Sequence, residues 1–276
     1  MITLRHGDWF ATVALQGGAV ASLAKAGRDV LRPTPEGATD PLDFACFPLV
    51  PYANRIDGGQ FAFEGREVSL PVLPRFAPHA LHGEGWLGLW AIIEQTDDRL
   101  VLSFEGGDWP WRYEGHQTLT LSDEGLRIDL MLINLDERPM PAGLGLHPYF
   151  PRYPDSRLDA PAVGVWTGEG IVPDRLVPSI AVADWADRKL TNLPFVDHCF
   201  EGWTGEARLS DDDGTTVVRA STDRLHVFVP AGETYLCAEP VTHRPDVFNQ
   251  ASPGEQGFVV LQPGQTLSLW MTVGRD

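Results

Sequence analysis

The chain has 276 residues, of which 43% are hydrophobic and 21% charged, and its formal net charge is −17. A chain of this length and balance buries most of its unfolded surface without covalent staples, as soluble globular proteins do. The acidity favours solubility and argues against nucleic acid or an anionic membrane as a partner.

Proline (23) and glycine (28) are spread along the whole chain, with short apolar runs between them, which is a β signature. Residues 9–15 (WFATVAL) read as a strand that Gly17-Gly18 turns into a second one over 19–24. Residues 32–43 are turn-rich and read as a surface loop. A hairpin follows over 60–63 and 67–70, turned at Glu64-Gly65-Arg66, and 71–78 is irregular. Residues 90–95 and 100–105 flank Asp97-Asp98 as an antiparallel pair. Residues 118–122 and 126–134 form another pair, in which Leu126, Ile128, Leu130 and Leu132 share one face. Further strands are expected at 163–167, 207–210, 215–221, 225–229 and 234–239. Two more, at 257–261 and 266–273, flank a turn at Gln262-Pro263-Gly264-Gln265. The one place for a short helix is 183–189, since no longer segment keeps a helical period.

Many antiparallel strands without a βαβ rhythm, no linker and no repeat predict an all-β fold. The expected form is one large antiparallel β-sandwich domain over residues 1–276, with a barrel or jelly roll as the competing architecture. Cys46, Cys199 and Cys237 show no Cys-x-x-Cys spacing, so neither a disulfide framework nor a zinc site is expected and a reducing compartment fits. No basic, then apolar leader opens the sequence and no apolar run reaches bilayer length, so a cytoplasmic location is expected.

Five stretches could carry chemistry. In Gly143-Leu144-Gly145-Leu146-His147-Pro148-Tyr149-Phe150, Pro148 biases His147 towards an extended backbone. Leu144, Leu146, Pro148 and Phe150 then face one way, and His147 and Tyr149 the other. The glycines suggest close approach of backbone or ligand. His147 reads either as a ligand-facing imidazole or as a core histidine bonded to a carbonyl. Asn54-Arg55 offers an amide beside a guanidinium, a donor set for vicinal hydroxyls or a carboxylate, or else a turn and a surface arginine. His79 and His82 lie in a segment that Pro78 and Gly83 keep from being helical. A metal pair is therefore not expected, and His82 reads either as a hydrogen-bonding histidine in a loop or as a plain loop histidine. Asp197 and His198 are neighbours on a strand and point apart, so either could face a pocket. Glu239 ends an apolar strand two residues after Cys237. It reads either as an ordinary edge carboxylate or, if it shares a face with Cys237, as one whose pKa desolvation would raise towards that of a base working near neutrality. The segment Pro245-Asp246-Val247-Phe248-Asn249 could cover such a site. Phosphate-cradling loops, dinucleotide fingerprints and serine elbows are missing from the sequence.

Taken together, Asn54-Arg55-Ile56 with Gly59, Leu81-His82-Gly83, His147-Pro148-Tyr149-Phe150 and Ala238-Glu239-Pro240 resemble the aldose 1-epimerase (galactose mutarotase) family. Asp197-His198-Cys199-Phe200 is similar to that family's aspartate segment, and the resemblance covers most of the chain. It implies a galactose mutarotase-like supersandwich that interconverts the α- and β-anomers of a free aldose and needs no cofactor. Carried over, His147 is the general acid at the ring oxygen and Glu239 the base at the anomeric hydroxyl. Asn54, Arg55, His82 and Asp197 would bind the sugar, and Trp86 or Tyr149 could stack on its apolar face. The acid and base are expected to face each other across the width of a monosaccharide ring.

Pro240-Val241-Thr242-His243, after the glutamate, departs from the glutamine-containing run of better-known members, as does Pro51 before Tyr52. Both leave the choice of sugar open. The competing readings are a hexose-6-phosphate 1-epimerase, in which Arg75 or Arg152 would converge near Arg55 as a phosphate clamp, and a carbohydrate-binding module without turnover. A monosaccharide is the expected partner, for a monomer or homodimer.

Overall fold

In the computed structural model, which describes residues 1–191 and 193–276, two large antiparallel sheets account for most of the chain. The first has eleven strands. Its order runs Ile2–His6, Trp9–Val13, Val20–Lys25, Cys46–Leu49, Gly145–Pro151, Tyr235–Pro240, Arg224–Val229, Val196–Glu201, Gly164–Thr167 and Arg175–Pro178, with Arg28–Asp29 added beside Val20–Lys25. The second has nine. Its order runs Ala91–Gln95, Arg99–Glu105, Tyr113–Ser122, Gly125–Asn134, Thr266–Arg275, Gly214–Ala220, Glu206–Asp211, Arg157–Asp159 and Arg188–Lys189.

Alternation along the strands explains how the layers assemble. In Gly125–Asn134, Leu126, Ile128, Leu130 and Leu132 are all buried, while Arg127, Asp129, Met131 and Ile133 are only partly covered. They join Leu4, Ala11, Leu23, Leu146 and Val227 of the eleven-stranded sheet in one continuous core. Each such aliphatic side chain contributes about 1.5–3 kcal/mol by leaving water. The opposite face of the eleven-stranded sheet carries a second cluster, which includes Phe47, Trp86, Tyr149, Trp166, Cys199 and Cys237. The strand Gly145–Pro151 is therefore covered on both sides: Leu144, Leu146 and Phe150 enter the inter-sheet core, and Tyr149 enters the second cluster. The predicted two-faced character holds, and the imidazole face is not a solvent face.

Several sequence expectations need correction. No helix forms over 183–189; a bend there buries Trp185, and Arg188–Lys189 pairs with Arg157–Asp159 at a sheet edge. Among the described residues, the one α-helix is Val247–Gln250. Val259–Leu261 does not pair with the strand that follows it but with Met140–Ala142. The first strand, Ile2–His6, carries too few apolar residues to announce itself; it is held by five paired positions against Trp9–Val13. Among the described residues, no helix is long and apolar enough to cross a membrane.

Candidate active site

The site lies on the second-cluster face of the eleven-stranded sheet, where register brings distant residues into one row. Phe47 pairs with His147. Tyr149 pairs with Cys237, and His226 with Glu239. Cys199 pairs with His226. Because side chains alternate with period two, Phe47, His147, Glu239, His226 and Cys199 point the same way across five adjacent strands.

His147 Nε2 stands 3.4 Å from Glu239 Oε1. The expectation of a ring-wide gap between them is therefore wrong. Both side chains are almost enclosed, with 8% and 2% of their surface exposed. Their other heteroatoms, His147 Nδ1 and Glu239 Oε2, are buried and have no hydrogen-bond partner among the described residues. Burial pushes the Glu239 carboxyl up to about 8, against the opposing pull of the His226 and Arg55 charges. Burial, with the positive charges of His226 and Arg32, pushes His147 down to about 3. The causes agree: an ion on either partner alone is costly here, which favours a neutral carboxyl beside a neutral imidazole.

His147 is packed from both sides. Its ring stacks on Tyr149 at 4.7 Å and 20°, and contacts Phe47 at 4.7 Å. Phe47 in turn stacks on Trp86, which is fully buried. Trp86 and Tyr149 thus serve as supports for the imidazole, and neither offers a free face to a sugar.

Asn54, Arg55 and His82 arrive together through a two-stranded ribbon, in which Arg55 pairs with Leu81. Asn54 N donates to His82 Nδ1 at 3.0 Å, and His82 N donates to the Asn54 carbonyl at 2.9 Å. Both residues hold positive φ, +59° and +63°, an uncommon state for side-chain-bearing residues that clusters at functional sites. Gly83 must be glycine: a Cβ there would lie 2.3 Å from the Val50 carbonyl oxygen. The Asn54 carboxamide oxygen accepts from Arg55 N (2.9 Å) and Nη1 (3.2 Å). Burial keeps His82 neutral by pushing it well below the usual histidine range, and its ring lies 5.3 Å from that of His147.

Asp197 is brought in from the next strand but one. Its carboxylate meets Arg55 Nη2 at 3.4 Å and His226 Nε2 at 2.6 Å. Burial works to raise its pKa, but the His226 hydrogen bond and the His226 and Arg55 charges hold it at about 2. His226 is opposed by burial, yet Asp197 and Cys199 lift it to about 10. An arginine, an aspartate and an imidazolium therefore form a charged chain beside Glu239. His198, on the other side of its strand, bonds to the Trp166 carbonyl.

All six predicted site residues meet in this region. His226 was missed. The signal was the alternation of His226 and Phe228 within an apolar strand, which reads as core when the strand's neighbours are unknown. The glycines beside His147 admit protein rather than ligand: a Cβ on Gly143 would meet the His243 ring at 2.0 Å, and one on Gly145 would meet Leu49 at 2.9 Å. The segment after Glu239 buttresses the site, since Ala53 N donates to His243 Nε2 and Leu144 N to Thr242 Oγ1. Of the 245–249 segment, Pro245 lines the cavity that Asp197 and His226 also line, and the rest underpins the Arg55 ribbon. Asp246 accepts from Asp57 N, and its own amide donates to the Arg55 carbonyl, while Phe248 enters the core.

His147, Cys237 and Glu239 each place a ligand atom within 4.8 Å of the others. Burial raises the Cys237 thiol well above its usual range, so it stands as a neutral thiol rather than a ready thiolate ligand.

Comparison with known proteins places this geometry among relatives. The family model described as aldose 1-epimerase matches residues 1–274. The chain is 31% identical over 287 residues to the uncharacterized protein YphB of Escherichia coli K12, covering 98% of this chain and 97% of that one. It is also similar to the crystal structure of a provisionally assigned aldose 1-epimerase from Escherichia coli K12, with a TM-score of 0.90, 30% identity and coverage of 99% and 98%. The fold is shared with a galactose mutarotase-like protein from Lactobacillus casei, with a TM-score of 0.82, 16% identity and full coverage of both chains.

Proposed function

This chain belongs to the aldose 1-epimerase family, and we propose that it catalyses mutarotation of a free aldose through His147 and Glu239. The observation that carries the reading is the 3.4 Å contact between two buried, mutually unsolvated groups, each with one heteroatom unpartnered.

Anomer exchange acts on two oxygens attached to one carbon, the ring oxygen and the anomeric hydroxyl. An acid and a base standing side by side suit that target better than a pair set a ring apart. One shared proton is sufficient. With the proton on His147, Glu239 removes the hydroxyl proton of C1 while His147 protonates the ring oxygen. The ring opens to a free aldehyde, and the proton now rests on Glu239. Rotation about the C1–C2 bond presents the other carbonyl face. Closure returns the Glu239 proton to the carbonyl oxygen as His147 takes the hydroxyl proton. The resting form, with the proton on Glu239, reaches the starting form by transfer across the 3.4 Å contact.

Arg55 and Asp197 would bind ring hydroxyls, one as donor and the other as acceptor. Asn54 orients Arg55, and His82 flanks His147. A sugar phosphate is less well served. Arg75 is ion-paired with Asp40, Arg152 donates to the Pro230 carbonyl, and Arg55 is engaged by Asp197. We read the protein as one cytoplasmic catalytic domain acting on a monosaccharide-type substrate.

Polarimetry or NMR on freshly dissolved α-glucose and α-galactose tests the reading. The protein should accelerate equilibration, and Glu239→Gln should lower that rate by about 10²–10⁴-fold. Sugar binding without acceleration would replace the enzyme by a binding module, and acceleration of hexose 6-phosphates alone would replace the substrate.

A further inference from the structure

Resting on that reading, we propose that Arg32 is a positioning residue for the reaction: it fixes the plane of the His147 imidazole through the ring of Tyr149, with Tyr235 backing it. A working imidazole is usually oriented by a hydrogen bond on the ring nitrogen that faces away from the reaction. His147 turns Nε2 to Glu239, and its Nδ1 has no such bond among the described residues. Packing must then set the plane of the ring. Tyr149 lies nearest to parallel, 20° away with 4.7 Å between ring centres. Phe47, at the same distance, is tilted by 31°.

Tyr149 is held in its turn. Arg32 N donates to the Tyr149 carbonyl at 2.8 Å. The guanidinium carbon stands 3.9 Å from the centre of the Tyr149 ring and 4.6 Å from that of Tyr235. Register decides which face of Tyr149 it covers. Tyr235 pairs with Pro151, two residues beyond Tyr149 and so on the side away from His147. A group lodged between the two tyrosines therefore lies on the far face of Tyr149, opposite the imidazole. His147, Tyr149, Arg32 and Tyr235 follow one another along one face of the sheet.

The chemistry of arginine suits this place. A planar guanidinium can lie flat on an aromatic ring and donate within its own plane at the same time. Arg32 Nη2 donates to the carbonyls of Leu42 at 2.7 Å and Phe44 at 3.2 Å. The carbonyls fix the group sideways while the two rings fix its faces. No ion pair engages Arg32 among the described residues, and its Nε is buried without a partner there. A half-buried cation without a counter-charge is costly to the fold. Its contact with the ring that backs His147 gives it a use in the reaction. The loop expected over 32–43 thus starts beneath the site.

The test is anomer exchange by NMR, with the resonance of the His147 Cε1 proton followed in the same samples. Arg32→Met should lower kcat by about 10- to 100-fold, the cost of a misplaced catalytic group. KM should stay within about twofold, because Arg32 touches no substrate. The His147 proton, shifted upfield by the Tyr149 ring, should move downfield. Arg32→Lys keeps the charge without the plane and should recover only part of the rate. Tyr235→Leu should act in the same direction as Arg32→Met but less, and Tyr235→Phe should match wild type. An unchanged kcat in Arg32→Met, a rise in KM alone, or a fall in kcat with the His147 resonance unmoved would each overturn the inference and leave the mutarotase reading standing. Should Arg32→Met fail to fold, equal kcat in Tyr235→Leu and Tyr235→Phe would overturn it. Wild type inactive on every aldose would overturn the mutarotase reading, and this inference with it.

Discussion

Two glutamates in this protein are held in opposite ways. Glu84 sits under the 107–109 loop and receives four hydrogen bonds, from the amides of Gly107, Asp108 and Trp109 and from the Tyr113 hydroxyl, at 2.7–3.2 Å. Glu239 has one oxygen against His147 and the other against nothing. A carboxylate whose lone pairs are filled by the chain itself is part of the architecture. One that is dehydrated and left incomplete is costly to the fold. It has unused capacity for a molecule that is not yet there.

Exchanging each carboxylate for an amide sharpens that contrast. Glu239→Gln should lose about 10²–10⁴-fold in anomer exchange while keeping a cooperative thermal unfolding transition. Glu84→Gln should lose about 2 kcal/mol of stability, because charge-assisted bonds become ordinary ones and one acceptor becomes a donor facing amides. Its exchange rate should fall far less than that of Glu239→Gln. If both variants lose activity equally and Glu239→Gln also unfolds early, the division into architecture and site fails.

The neighbouring charged chain gives a second test. His226→Ala leaves Asp197 buried beside Arg55 without its 2.6 Å partner, and loss of one member of a buried pair costs about 3–5 kcal/mol. Chemical denaturation measures it, and a cost under 1 kcal/mol would mean that Asp197 is hydrated rather than held.

Two pH dependences follow from the proton that the buried Glu239 carboxyl retains. Glu239 ionises near 8 when folded, against an ordinary value of 4.5. Above 4.5 the unfolded chain releases this proton while the folded chain keeps it, so Glu239 lowers stability progressively up to about pH 8. The Tm of Glu239→Gln should therefore exceed that of wild type at neutral pH, by a margin that grows from pH 5 to 8. A margin that shrinks over this range would mean a carboxylate already ionised. In the same way kcat/KM should fall above about pH 8, where Glu239 gives up its carboxyl proton and neither partner can act as the acid, and hold at mildly acidic pH, since His147 becomes an imidazolium beside a protonated Glu239 only near 3.

How much of this was legible in the sequence depends on whether a property is local. The alternation of Leu126 to Leu132 gave a strand and its buried face. The His147-Pro148 step gave an extended imidazole opposite an apolar face, and Glu239 beside Cys237 left a desolvated carboxyl open beside the plainer reading of an edge carboxylate. Cross-strand register is not local. His226 faces Glu239 because strands 13 residues apart in sequence happen to pair there, and Asp197 meets His226 one strand further on. The same blindness hid the pairing of Val259–Leu261 with Met140–Ala142. It also misjudged the acid–base spacing, which alternation along single strands does not encode. The expected helix at 183–189 yielded to the burial of Trp185 at a bend.

The strand Thr266–Arg275 lies in the middle of the nine-stranded sheet, between Gly125–Asn134 and Gly214–Ala220. Every other strand of that sheet leaves the ribosome before it. Until it emerges, the nascent sheet is two halves with open edges facing each other, a state that invites pairing with other chains. Removing these ten residues would not trim the protein but divide that layer, and a fusion placed just beyond them would be felt along the seam.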